Sequence, residues 1–464
     1  MATASTASSD TEGPEPGDTP EASAPESAPA AGSTLSPDDP AEVEHDPAEH
    51  DPARRAFFYQ FSKQAVTTVG QVAGVADLVN RASGGGVASL LGLDQFTATD
   101  ERTDFARSGN APVVSVAAPA ADDAFRSPYR VAGDELVLLD QRGIPEKLEE
   151  VVAKRGSDVA YYLRLGIARG GPLMAQVAAY GLALTAAERA GQPEDQRDIE
   201  LRRTEGALIE ARPSARLLRW SMERMRSALP GSDRSTPGAE IAAALRAEAD
   251  AIATDFGAWH AAISASLVDV LNGPGGGPLS LLLHGDPGAL WGGTVGTVLP
   301  ALRQLREGGR GLNVFVTEGR PFMDGARLAG WELRQAGIDH KVIPDSAVAW
   351  LLDREPIDAI LIGAECVAAN GDVGALVGSR AVAQLAAAAR ARVVVSGISA
   401  TIDPSTPDGA AIPVELRPAR DLAAYLADVP IRGSDALVPA SDVMPAATVS
   451  VLVTERGVIA PGEG

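Results

Sequence analysis

From residue 279 onward the chain repeats one pattern four times, a short unbroken apolar run followed by a longer amphipathic stretch. The runs are LSLLLH (279–284), LNVFVTE (312–318), DAILIGA (358–364) and RVVVSG (392–397). A strand that is apolar on both faces must sit in a sheet covered on both sides, and the intervening helices supply that cover. The alternation predicts an α/β fold with a Rossmann-like parallel sheet over residues 274–464. Ligands of such sheets bind beyond the carboxyl ends of the strands. Three stretches arrive there: HGDPGALWGG (284–293), TEGRPFMDGARL (317–328) and GAECVAANGDVGALVGSR (363–380). The last carries an acid, Glu365, beside the single cysteine, Cys366, then a polar turn at Asn370, Gly371 and Asp372 that leads into an expected helix.

Upstream the pattern differs. ELVLLD (135–140) reads as a short strand, and a helical block runs from about 145 to 272, broken at ARGGP (168–172) and ARPSA (211–215). Residues 127–273 are therefore expected to form a small helical N-terminal domain. Residues 1–55 form an Ala-, Pro-, Ser- and acid-rich tail with too little apolar surface to offset the entropy of ordering, so disorder is expected. Residues 56–82 repeat Phe57, Phe58, Phe61, Ala65, Val69 and Val72 at helical spacing and predict an amphipathic helix. Residues 83–126 read as a Gly- and Ala-rich linker.

The charge balance narrows the partners. Of the net charge of −22, residues 1–53 hold −13, with thirteen acidic and no basic side chains, leaving −9 on the rest. A body without a basic field offers nothing to a phosphate backbone, so no nucleic acid is expected. One cysteine permits no internal disulfide and no Cys-rich zinc site, which fits a reducing cytoplasm. The longest apolar stretches, such as MAQVAAYGLALTAA (174–187), are too short to span a bilayer, so no membrane partner is expected.

Seven ordered motifs carry a resemblance: LVLLDQRGIP (136–145), ARGGPLMAQVAAYGLAL (168–184), ARPSARLLRW (211–220), TEGRPFMDGARLAGWELRQAGID (317–339), GAECVAANGDVG (363–374), TIDPSTPDGAAIPVELRPA (401–419) and VPASDVMPAATVSVLVTERGVIAP (438–461). Together they resemble methylthioribose-1-phosphate isomerase and its wider family, which includes ribose-1,5-bisphosphate isomerase and regulatory subunits of translation initiation factor 2B. The resemblance covers nearly everything after Ser127. It implies a helical domain before a Rossmann-like one, a homodimer, no cofactor, no metal and a phosphorylated small-molecule ligand. The isomerases open the ring of an aldose 1-phosphate and form a ketose, which calls for acid–base groups in a dry pocket and donors around the phosphate.

Transferred residue by residue, the resemblance implies a changed site. The isomerases carry a cysteine and an asparagine after the first sheet strand; here those positions are Gly285 and Asp286, following a retained His284. The catalytic aspartate position is Glu365. Cys366, alternating with it along a strand, is expected to point away and to be structural. Arg169 and Arg212 match phosphate-binding arginines, and Gly170 and Gly171 match a turn that offers N–H groups. An Asn-Lys pair is replaced by Ala375 and Leu376, and a glutamine by Asp324, whose charge is expected to repel phosphate. The expected protein is isomerase-like, with a remodelled sugar-phosphate pocket, and not an efficient methylthioribose-1-phosphate isomerase. Two alternatives stand beside it: isomerisation of a different phosphorylated sugar, and a non-catalytic regulatory or scaffold role recruited through residues 1–82.

Overall fold

In the computed structural model of the protein, the described residues are 114–115, 127–230, 236–273, 277–285, 288–423, 425 and 435–460. All belong to one compact unit, Asp51–Gly464. The expected acidic tail, the amphipathic helix and nearly all of the linker lie outside the described residues, as does Asp286.

The upstream segment opens on a sheet. Strands β1 (Val114–Ser115), β2 (Tyr129–Ala132), β3 (Glu135–Leu139) and β4 (Glu149–Ala153) form an antiparallel sheet in the order β1-β4-β3-β2. Residues 149–153, expected to be helical, are a correction: the alternation of EEVVA buries Val151 and Ala153, and Leu136 pairs with Ala153. Five helices follow: α1 (Gly156–Leu165), α2 (Gly171–Glu188), α3 (Glu194–Ala211), α4 (Arg216–Ser227) and α5 (Gly238–Leu271). The breaks before α2 and after α3 fall at the two stretches read as interruptions. Nearly every residue of α2 is buried, because α1, α3, α4 and α5 enclose it. A helix apolar all round is stable only in such a place. Fully buried side chains such as Leu163, Leu208, Leu218 and Phe256 each stabilise this core by roughly 1.5–3 kcal/mol.

The downstream segment is the expected parallel sheet. Strands β5 (Leu279–His284), β6 (Leu312–Thr317), β7 (His340–Ile343), β8 (Ala359–Gly363) and β11 (Arg392–Ser396) combine with Val451–Thr454 and Gly457–Ile459 into seven strands. The order from one edge is β7-β6-β5-β8-β11, then 451–454 and 457–459; only the last pair is antiparallel. The strand order reverses between β5 and β8, and their carboxyl ends part there to leave a crevice. The half-exposed edge strand β7 carries no continuous apolar run, which is why the pattern of runs does not reveal it.

The stretch after β8 differs from the reading as a lip followed at once by a helix. Cys366–Ala368 (β9) and Val373–Leu376 (β10) form a hairpin, and β10 also pairs with Ser441–Met444. The helix begins only at Ser379. Ala375 and Leu376 favour helix locally, but burial of all four residues of β10 overrides that preference.

Candidate active-site crevice

The register of the two central strands sets the crevice. His284 at the end of β5 pairs with Ile362 of β8, so Gly285 emerges beside Gly363 and Glu365 lies just beyond. These ends open on a space of about 770 Å³, its mouth included, lined by His284, Gly285, Glu365 and Leu376. The helical segment supplies further walls: Leu217 from α4, His260 from α5 and Pro172 from the start of α2. Four expected site residues thus meet in one place although the chain separates them.

Gly285 brings no functional group. Its φ is +110°, a conformation that side-chain-bearing residues rarely adopt, and among the described residues a Cβ placed there would meet only Leu376 Cδ2, at 4.0 Å. The space beside the turn is open, yet the backbone itself selects glycine.

Glu365 is half-buried, and its backbone N–H is held by the carbonyl of Gly374 at 2.9 Å. Burial pushes its carboxyl above the usual range, while Arg212 and Arg169 pull it back. It is therefore a carboxyl able to exchange a proton closer to neutrality than an exposed glutamate. His284 has both ring nitrogens engaged, Nδ1 with Thr317 Oγ1 at 2.8 Å and Nε2 with the carbonyl of Val377 at 3.1 Å. A carbonyl only accepts, so Nε2 carries the proton and Nδ1 accepts from the threonine. Burial lowers its pKa, so this imidazole is a neutral strut.

His260 was missed by sequence reasoning. It is buried on α5, its Nδ1 2.7 Å from Thr294 Oγ1, and burial lowers its pKa to about 4. The signal was available: Phe256, His260 and Ile263 share the apolar stripe of one long helix. Cys366 is buried in a small cluster with Ala368 and Ile412, and burial pushes its thiol up to about 12, as befits a structural cysteine.

The two arginines do not line the space. Arg169 is buried and donates from Nε and Nη2 to Asp324 Oδ2 at 3.1 and 2.7 Å. Arg212 is likewise buried and donates to Glu415 Oε2 at 2.8 Å. Asp324 therefore answers an internal cation. Gly170, at φ +103°, is needed because Trp291 packs so closely that a Cβ would fall 2.4 Å from its carbonyl oxygen. Gly171 begins α2, and among the described residues no side chain caps that helix. Ala375 is fully buried in β10, whereas Leu376 places its side chain beside Gly285. Arg380, the cation that follows this hairpin, is exposed and outside the lining.

The polar turn is a brace for the neighbouring loops. Asp372 accepts from Asn370 Nδ2 at 2.8 Å, from the Gly409 N–H at 2.9 Å and from the Ala446 N–H at 2.9 Å. It ties three loops together and does not cap the helix. That helix start is held instead by Asp442, which accepts from the N–H groups of Gly378 and Arg380. Among the described residues, no group of three His, Cys, Asp or Glu is placed to hold a metal, and no helix is long and apolar enough to cross a membrane.

Comparison with known proteins agrees with this architecture. The model of the Initiation factor 2 subunit family matches residues 168–461. Methylthioribose-1-phosphate isomerase of Chloroflexus aurantiacus is 38% identical over 336 residues, covering 71% of this chain and 93% of that protein. The same enzyme of Anaeromyxobacter sp. (strain K) is 36% identical over 335 residues, covering 71% and 92%. Among solved structures, 5-methylthioribose 1-phosphate isomerase of Pyrococcus horikoshii superposes with a TM-score of 0.65 at 25% identity, covering 74% of this chain and 95% of that one. The delta subunit of translation initiation factor eIF-2B from A. fulgidus gives a TM-score of 0.61 at 26% identity, covering 73% and 97%. With identity, coverage and fold in agreement, the chain belongs to the methylthioribose-1-phosphate isomerase and initiation factor 2B family.

Proposed function

We propose that this protein is an isomerase-like member of its family whose crevice has been rebuilt and does not isomerise methylthioribose 1-phosphate efficiently. The observation that carries this reading is Gly285, which has no side chain and a backbone at φ +110° beside the carboxyl of Glu365. Moving hydrogen between adjacent carbons needs one group to take a proton and another to support the oxygen. Glu365 serves for one of these, and among the described residues Gly285, where the isomerases carry a cysteine, brings no group for the other. The loss of a positioned acid–base group lowers a rate by about 10²–10⁴-fold. In this reading His284 is a strut and the two arginines are counter-charges. The family's homodimer belongs to the same proposal and is tested by sedimentation of the full chain.

Incubating the purified protein with methylthioribose 1-phosphate and following the ketose by NMR tests the reading. The expected result is turnover at least about 100-fold below that of a related isomerase measured alongside. Comparable rates would overturn it. The raised carboxyl of Glu365 favours one second reading, proton transfer on a different phosphorylated sugar. Its mark would be ketose formation from that sugar by the wild type and its loss in Glu365→Gln.

A further inference from the structure

We propose that His260 and Ser396 hold the polyhydroxy portion of the ligand, through the imidazole Nε2 and the serine Oγ, in the space that Glu365 also lines. This rests on the reading of a rebuilt crevice and names the groups that meet the ligand there and the class of compound they fit.

His260, Ser396 and Glu365 all line the crevice, and they reach it from two parts of the chain. His260 comes from α5 of the helical segment. Ser396 ends β11 opposite Gly363 of β8, and Glu365 lies two residues beyond that glycine. The imidazole is fixed on its other sides. Its Nδ1 is 2.7 Å from Thr294 Oγ1, Phe256 meets it edge-on, and a Cβ on Gly292, itself a lining residue, would fall 3.2 Å from Cε1. Nε2 is the polar atom left over, and among the described residues it has no hydrogen-bond partner. The same holds for the carboxyl of Glu365 and for the hydroxyl of Ser396, whose carbonyl accepts from the Ala364 N–H at 2.8 Å. His260 and Ser396 are each more than nine-tenths buried. Polar groups so deep are costly to leave unmatched, and the space they line is where a partner would come from. Burial keeps the imidazole uncharged at neutral pH, so Nε2 offers a hydrogen bond without a charge, as donor or acceptor according to the tautomer. No lysine or arginine is among the described residues of the lining, and Leu217, Leu361 and Ile398 add apolar wall. Uncharged hydrogen-bonding groups set in apolar walls match hydroxyl and carbonyl oxygens carried on a short carbon chain.

The test titrates the full chain, labelled with 15N at its five histidines, with D-ribulose up to about 100 mM. The resonance of His260 is assigned by its absence from His260→Asn. A saturable shift of the Nε2 signal of His260 is expected. Saturation-transfer NMR observed on the sugar then gives Kd for the variants. His260→Asn, whose amide can still meet Thr294 but falls short of the Nε2 position, should bind about fivefold more weakly, and Ser396→Ala by a similar factor. His260→Gln, whose amide reaches nearer to that position, should recover part of the loss. The proposal is overturned by a wild type that shows no saturable response, or by a shift confined to another histidine. Equal losses in the Asn and Gln variants would mark the ring as structural and overturn it as well. If His260→Asn does not melt cooperatively, Ser396→Ala decides: binding equal to wild type overturns the proposal, and a fivefold loss upholds it. Each of these failures leaves the rebuilt crevice standing. Turnover of methylthioribose 1-phosphate at the rate of a related isomerase sinks that reading by itself.

Discussion

His260 gives the sharpest quantitative test of the crevice. The imidazole is 1% exposed, edge-on to Phe256 with ring centres 5.9 Å apart, and bonded to Thr294. Burial lowers its pKa from 6.5 to about 4. The unfolded chain therefore takes up a proton near the ordinary value, while the folded chain resists until near the lowered one. This contribution to stability is complete above the unfolded pKa and is lost as pH falls through the folded pKa. A gap of about 2.5 pKa units at about 1.36 kcal/mol each amounts to about 3 kcal/mol. In His260→Gln the loss of the ring and its bond costs about 1–2 kcal/mol at neutral pH, but no proton is taken up on acidification. Urea denaturation followed by far-UV circular dichroism, stepped between about pH 7.5 and pH 4, should show the wild-type advantage shrinking and then reversing. Parallel stability curves for the two proteins would refute the reasoning, because the imidazole would then titrate alike folded and unfolded.

Three further outcomes follow from the same geometry. Glu365 has its carboxyl raised by burial, so its contribution is greatest at low pH and is lost as pH rises through the folded value; Glu365→Gln should be more stable than wild type near pH 8, with the gap closing on acidification. Gly285→Ala has room for its methyl group but not the backbone conformation, so it should lose about 1–3 kcal/mol in chemical denaturation, and wild-type stability would show that the turn relaxes freely. Arg169→Ala strands the buried carboxylate of Asp324 and should cost about 3–5 kcal/mol by the same measurement. A loss below about 1 kcal/mol would show that Arg327 alone balances that charge.

The chain announced its parallel sheet because strands buried on both faces must be written as unbroken apolar runs, and β5, β6, β8 and β11 are. It announced two helix breaks, since the Gly170–Gly171 pair weakens a helix and Pro172 and Pro213 lack the N–H needed to continue one. It gave no sign of β4, β7 or β10, whose short or half-exposed sequences fit several conformations until neighbours pair with them. The same division holds at the site. His284, Gly285, Glu365 and Leu376 were identifiable as residue types, because chemistry and motif position are written locally. What Arg169, Arg212 and Asp324 do was not written there. Arg169 and Asp324 are 155 positions apart, and only folding brings their side chains to 2.7 Å and turns an expected repulsion of phosphate into an internal ion pair. The sequence by itself determined the element types and the inventory of charges. Which charge meets which was decided by tertiary structure, since Coulomb energy depends on distance and burial, and neither is a property of the chain order.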